Sequence, residues 1–124
     1  LEGLDGADTM TGGAGNDTFF FDRPTDGGAT GDVITDFGSG AGNDDRFELR
    51  GSNFDGLAAG ALTAAQFQSS TADTAGTADV RFFFETDTGK LFYDRDGSGA
   101  THAAVLLATL QPGATVELGD FTII

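Results

Sequence analysis

The chain reads as an all-β protein: a short parallel β-roll capped by a mostly antiparallel β domain with one short helix. Three observations point there. Twenty Gly among 124 residues, with two Pro and one Met, describe a turn-rich chain and not a helical bundle. A nine-residue block recurs at the start of the sequence. Two aromatic runs flank a short turn at 80–94, the pattern of a hairpin.

The blocks are GLDGADTMT (3–11) and GGAGNDTFF (12–20). Gly3, Gly6, Asp8 and Met10 fall on Gly12, Gly15, Asp17 and Phe19. The template is G-G-x-G-x-D-x-U-x, where U is large and apolar. The second block matches every specified position, and the first departs only at Leu4. Leu1 falls in the apolar slot of a preceding block, so the chain reads as beginning inside a longer protein. A nine-residue period of this form belongs to parallel β-helix repeats that bind calcium.

The chemistry follows from the spacing. Six Gly-rich residues bend through backbone conformations closed to other residues and turn carbonyl oxygens inward. The Asp ending the turn adds a carboxylate. The next three residues form a short strand whose central side chain points into the roll. Calcium takes six to eight hard oxygens, which carbonyls and carboxylates supply. Two successive turns make one coil, so a site lies between turns stacked on the same edge. Without a cation the stacked Asp would repel, which couples binding to folding. Asp8 and Asp17 are the leading carboxylate ligands, with carbonyls around Gly3, Asp5, Gly12 and Ala14. One such block could be a bare Gly/Asn/Asp turn; two in register weigh against that.

Weaker copies follow. GGATGDVIT (27–35) keeps Gly27, Gly28, Asp32 and apolar Ile34, with Thr30 where Gly is expected. SGAGNDDRF (39–47) repeats GAGND but has Arg46 in the apolar slot, so Phe47 comes one place late. Such a slip turns a strand residue to the opposite face, and the roll is expected to lose register here. Asp32 and Asp44 are further candidate ligands; Asp36 and Asp45 are candidates that could equally be turn residues.

Residues 1–50 resemble the end of an RTX array, the calcium-binding repeats of Gram-negative exoproteins secreted by the type I route. DVITDF (32–37) and DRFEL (45–49) resemble the segment after the last turn of the serralysin-type C-terminal domain. FETDTGKLFYDRDGSG (84–99) and AVLLATL (104–110) are similar to a tail found in RTX proteins. The resemblance implies calcium as cofactor, an extracellular location and export through type I secretion machinery. The ending LGDFTII, an acid followed by hydroxyl and apolar residues, is similar to the C-terminal signals of such substrates; residues 115–124 also read as a last strand, with TVEL and FTII pairing in the sheet.

Elsewhere, LTAAQF (62–67) carries the one helix start. Thr63 can cap and Gln66 can reach back, giving one or two turns, with Phe67 packing inward. In VRFFFETDTGKLFYD, Phe82 and Phe84 share one face and Phe83 the other, with Gly89 available for positive φ; both faces are expected to be covered. SSTADTAGTAD (69–79) reads as a mobile polar loop. DRDGSG (94–99) fits the opening of an EF-hand loop through Asp94, Asp96, Ser98 and Gly99, but Val105 stands where a bidentate Glu belongs. It reads as a hydrated turn or as an extra calcium site.

Six basic residues against 20 acidic ones give a net charge of −14. There is no basic patch for nucleic acid or for an anionic membrane surface, and no apolar run of spanning length. With no Cys there is no disulfide framework, which suits a chain threaded through an export channel. His102, the only His, has no partners at zinc or acid–base spacing, and no nucleophile motif is present.

The expected organisation is the end of a calcium-binding roll over 1–36 and a capping domain with an export signal over 37–124. The expected function is a non-catalytic calcium-binding module of a secreted exoprotein. The alternatives are a calcium-stabilised adhesin or polysaccharide-binding module, which needs the hairpin aromatics exposed, and the non-catalytic end of a secreted hydrolase. Oligomeric state is not legible.

Overall fold

The computed structural model describes residues 1–3, 5–25, 30–40, 43–99 and 101–124. Leu4, Gly27, Gly28, Ala41 and Gly42 of the repeat alignment lie outside the described residues. The chain is mostly β, with strands β1 (Thr9–Met10), β2 (Thr18–Phe21), β3 (Asp32–Ile34), β4 (Ser39–Gly40), β5 (Asn43–Asp44), β6 (Arg46–Leu49), β7 (Phe67–Ser70), β8 (Phe82–Glu85), β9 (Lys90–Tyr93), β10 (Val105–Leu110) and β11 (Phe121–Ile123).

The two repeats set the architecture. Each bends at the same place, at 5–6 and at 14–15, and then enters a strand. Gly6 and Gly15, nine apart, hold φ of 103° and 97°, a region that side chains with a Cβ resist. The strands alternate between sheets: β1 joins a six-stranded sheet of order β1-β3-β10-β9-β8-β7, and β2 a three-stranded sheet of order β11-β6-β2. β3 returns to the first sheet parallel to β1, with Thr9 opposite Val33 and Met10 opposite Ile34. β6 returns to the second parallel to β2, with Phe19 opposite Phe47 and Phe21 opposite Leu49. Leu1 extends the ladder beyond β2, accepting the Phe20 amide at 2.7 Å.

The sheets as a whole are mixed, and neither a uniform parallel roll nor a mostly antiparallel cap describes them. β8–β9 and β9–β10 are antiparallel, but β7 runs parallel to β8 and β11 parallel to β6. The parallel pairs arise because the chain crosses over between them instead of turning back at a hairpin. The six-stranded sheet continues across position 36, since β3 lies between β1 and β10. A side-chain clamp reinforces this junction: Gln111 donates from Nε2 to the Phe37 carbonyl at 2.6 Å and accepts the Phe37 amide at 3.0 Å.

The expected helix is a single 3-10 turn, Ala64–Gln66, and none of the described helical turns reaches seven residues. Gln66 Oε1 does reach back to the Thr63 amide at 2.9 Å. The helix stops because Phe67 is drawn into β7, opposite Phe82, and packs on the core. TVEL is not a strand; a 3-10 turn, Leu118–Asp120, leads into β11, whose Phe121 and Ile123 are buried.

Phenylalanine fills the space between the sheets. Phe19, Phe21, Phe37, Phe47, Phe54, Phe82, Phe84 and Phe121 belong to one cluster, with Phe37 stacked on Phe47 at 4.5 Å between centroids. Phe83 points to the other face, stacked on Phe92 at 4.8 Å and covered by Ala75 and Val80. The hairpin turns at Gly89, with φ of 73°. The polar loop expected over 69–79 thus supplies cover for the second face. Gln68 anchors it, donating to the Thr74 carbonyl at 2.9 Å and accepting the Gly76 amide at 2.7 Å.

Candidate metal centre

The parallel register brings Asp residues of successive coils to the same level, just before each strand. On one edge the Asp8 amide donates to Asp32 Oδ1 at 2.9 Å, and the Val33 amide donates to the Asp8 carbonyl at 2.7 Å. On the other the Asp17 amide donates to Asp45 Oδ1 at 2.8 Å, and the Arg46 amide to the Asp17 carbonyl at 2.9 Å. The later carboxylate therefore adds one rung to each ladder. Asp32 and Asp45 are each 1% exposed, and hydrogen bonds from amides are what make a buried carboxylate tolerable.

The residue level with Asp17 is Asp45, not Asp44. The extra residue of the third copy is absorbed in its turn, where β4 and β5 pair antiparallel, so Phe47 stays on the inner face opposite Phe19. The expected slip of the apolar residue does not occur, because turning Phe47 outward would remove it from the stack with Phe37. Asp44 is exposed, and its amide donates to Asn16 Oδ1 at 2.8 Å.

The first Asp of each pair is distinguished by its other oxygen. Asp8 Oδ2 and Asp17 Oδ2 are buried and have no hydrogen-bond partner. Each lies against the first glycine of its own repeat. A Cβ on Gly3 would stand 3.0 Å from Asp8 Oδ2 and 3.0 Å from Asp32 Oδ2; a Cβ on Gly12 would stand 2.5 Å from Asp17 Oδ2. The glycine leaves room for carboxylate oxygen at the bend, identically placed in both repeats. A buried anionic oxygen without a donor is costly, and a divalent cation is one group that would satisfy it. The donors present fit calcium, hard oxygen throughout.

Asp36 caps the second bend, accepting the Gly12 amide at 2.9 Å on Oδ1 and the Gly13 amide at 2.7 Å on Oδ2. Asp45 also accepts the Gly38 amide on Oδ2 at 2.9 Å. Asp5 is exposed and pairs with Arg23 at 2.9 Å, and Ala14 is exposed in the second bend. Sequence reasoning missed the side chain of Asn16, although the Asn of GGAGND was visible in the repeat. It also missed the division of the Asp residues into two kinds, which depends mainly on contacts between the repeats and later segments, such as Gly12 with Asp36 and Asp17 with Asp45. Among the described residues no three His, Asp or Glu side chains form a ready cation cage; backbone carbonyls would have to complete a calcium shell.

Asp94 and Asp96 lie apart in sequence, in the connection after β9. Asp94 is buried and accepts the Asp96 amide at 3.3 Å; Asp96 Oδ2 accepts the amides of Thr101 at 3.0 Å and His102 at 3.1 Å. Burial first, and then the Asp96 carboxyl, push the Asp94 carboxyl above the usual range. Asp96 also feels desolvation, but its hydrogen bonds with Asp94, His102 and Thr101 outweigh that and hold it low. Asp96 Oδ1 is buried and has no donor unless Asp94 carries a proton. His102 is exposed.

No helix among the described residues is long and apolar enough to cross a membrane. Comparison with known protein families, with characterised proteins and with solved structures returns no match for this chain.

Proposed function

We propose that the chain is a non-catalytic, calcium-binding C-terminal module of a type I-secreted exoprotein of the RTX kind, in which residues 1–50 form the last coils of a parallel roll. One observation carries this reading: both repeats keep a buried Asp oxygen without a donor, Asp8 Oδ2 and Asp17 Oδ2, at the glycine that opens the same repeat. The sequence repeat and the paired ladders at Thr9–Val33 and Phe19–Phe47 agree with it.

The working principle is a rectifier. Where calcium is scarce, the crowded oxygens of the bends keep the coils loose, and a chain without Cys threads an export channel. Bound calcium supplies the positive charge that offsets this repulsion. Outside the cell, sites of extracellular modules hold calcium at roughly 10⁻⁴–10⁻³ M, and closing the bends brings β1 and β2 into register under β3 and β6. Those strands template the rest, because β10 and β11 pair directly on them. The last residues act as the export signal before folding and as β11 afterwards.

A calcium titration followed by circular dichroism tests the reading, on the chain and on the Asp8→Ala/Asp17→Ala double variant. Strand signal that rises with calcium in the first and not in the second is the expected result; identical structure with and without the ion, in both, would refute it. The glycan-binding alternative requires exposed hairpin aromatics, and Phe82, Phe83, Phe84 and Tyr93 are buried.

A further inference from the structure

The Asp residues around the second bend divide by what their oxygens already do. Both oxygens of Asp36 face amide donors, Gly12 and Gly13, at 2.9 and 2.7 Å. Both oxygens of Asp45 do the same, with Asp17 and Gly38, at 2.8 and 2.9 Å. Asp17, between them, has a buried oxygen with nothing to accept. We propose that Asp36 and Asp45 are positioning residues that build the Asp17 edge of the site from backbone hydrogen bonds, without coordinating the ion themselves. This rests on the calcium reading and adds to it a division of labour that the repeat pattern does not contain.

The physical link is the planarity of the peptide. In a trans peptide the N–H of one residue and the C=O of the residue before it point in opposite directions. Holding the Gly13 amide on Asp36 therefore turns the Gly12 carbonyl, an expected ligand, away from Asp36. Holding the Gly12 amide fixes the Thr11 carbonyl likewise, and holding the Asp17 amide on Asp45 fixes the Asn16 carbonyl. Three peptide planes of one bend are thus set by two carboxylates. Asp45 also closes the turn that follows β3, since its own amide donates to the Gly38 carbonyl at 2.7 Å while its Oδ2 accepts from the Gly38 amide. Because Asp45 is 1% exposed, these bonds are shielded from water and strong. When the bend closes, these bonds keep the carbonyls around Asp17 aimed at the ion. Partners of this kind, which orient ligands without touching the metal, govern affinity in other metal sites.

Europium(III), which replaces calcium in oxygen sites and whose luminescence lifetime in H₂O and D₂O counts bound water, separates a positioning role from a coordinating one. The variants are Asp36→Asn, Asp45→Asn and Asp17→Asn. Each keeps size but sets an amide nitrogen where a carboxylate oxygen stood. The expected result is that Asp36→Asn and Asp45→Asn bind europium roughly 10-fold more weakly with the same number of bound waters as the unaltered chain. Asp17→Asn gains at least one water. Should Asp45→Asn fail to fold, Asp36→Asn, at a half-exposed position, carries the test. A water gained in Asp36→Asn or Asp45→Asn as in Asp17→Asn would make them ligands and overturn the proposal. Unchanged affinity in both would overturn it too, leaving them merely structural. No europium bound by the unaltered chain would instead strike the calcium reading itself.

Discussion

Gly12 and Asp17 are so close that a Cβ on the glycine would stand 2.5 Å from Asp17 Oδ2. Neither backbone strain nor a turn type accounts for this glycine, because its φ is not in the left-handed region. It is the carboxylate that excludes a side chain. Gly12→Ala should therefore push Asp17 out of the bend and weaken calcium binding by roughly 10-fold or more. Gly3→Ala, whose Cβ would meet Asp8 Oδ2 at a softer 3.0 Å, should show a smaller loss. Calorimetric titration of the two variants checks the order; equal affinities, or a loss larger at Gly3, would contradict it.

The end of the chain has two roles that one deletion cannot separate. Phe121 and Ile123 are buried and β11 pairs with β6, so removing Asp120–Ile124 must damage the fold whatever it does to export. Phe54, fully buried and outside the tail, supplies the control. Phe54→Ala should destabilise the domain by about 3–5 kcal/mol and still be exported when fused to a passenger, whereas loss of 120–124 should abolish export. Export of both, or of neither, would show that the tail is only a strand or that folding governs secretion.

How much was legible in the sequence follows from the range of the interactions. The bends were legible because Gly6 and Gly15 act locally, and so was the Phe82/Phe83 alternation, since side-chain direction in a strand depends only on parity. The reach-back of Gln66 was visible too, but not the early end of its helix, which β7 decides by pairing with β8. Parallel pairing of β7 and of β11 depends on strands reached by long crossovers, which no local pattern encodes. The third copy shows the limit best. Counting places Asp44 level with Asp17, yet packing of Phe47 on Phe37 and Phe21 keeps Phe47 inside, and the turn takes up the extra residue, leaving Asp45 at the site. Core burial outweighed the spacing.

Gly51 concentrates several connections of the closing sheet. Its amide donates to the Ile124 carbonyl at 2.9 Å, and its own carbonyl accepts the amides of Phe54, Gly56 and Leu57 at 3.0, 3.1 and 3.1 Å. A Cβ there would stand 2.2 Å from the Leu57 carbonyl oxygen and 2.7 Å from the Ile123 side chain. The backbone atom cannot swing aside as a side chain would, so Gly51→Ala should cost about 3 kcal/mol, at the upper end for overpacking. The neighbouring Gly56→Ala has no atom within 4 Å of its Cβ but a φ of 75°, so its cost should be about 1 kcal/mol, from backbone strain alone. Urea unfolding of both variants distinguishes packing from strain; a larger loss at Gly56 would reverse the argument.

The Asp94–Asp96 pair predicts a dependence on pH, with a definite sign. Asp94 has a folded pKa above its ordinary value of 3.8, chiefly from burial and then from Asp96, with Arg81 pulling the other way. A raised carboxyl favours the folded state while it holds its proton, so its contribution is full below the unfolded pKa and is lost as pH rises through the folded one. Asp96 is lowered, so its contribution is present above the unfolded pKa and is lost as pH falls. Asp94→Asn cannot ionise, and its Nδ2 can donate to Asp96 Oδ1, the buried oxygen that lacks a partner. At one fixed calcium concentration that keeps the chain folded, the variant should therefore melt higher than the unaltered chain at neutral pH. The gap should close as the pH falls through the raised pKa of Asp94, where the parent's carboxyl is protonated and supplies the same hydrogen bond. Melting curves across that range read the difference directly. A constant gap would mean that packing, not charge, separates the two proteins, and a lower melting point for Asp94→Asn at neutral pH would mean that the ionised carboxylate is the form the fold prefers.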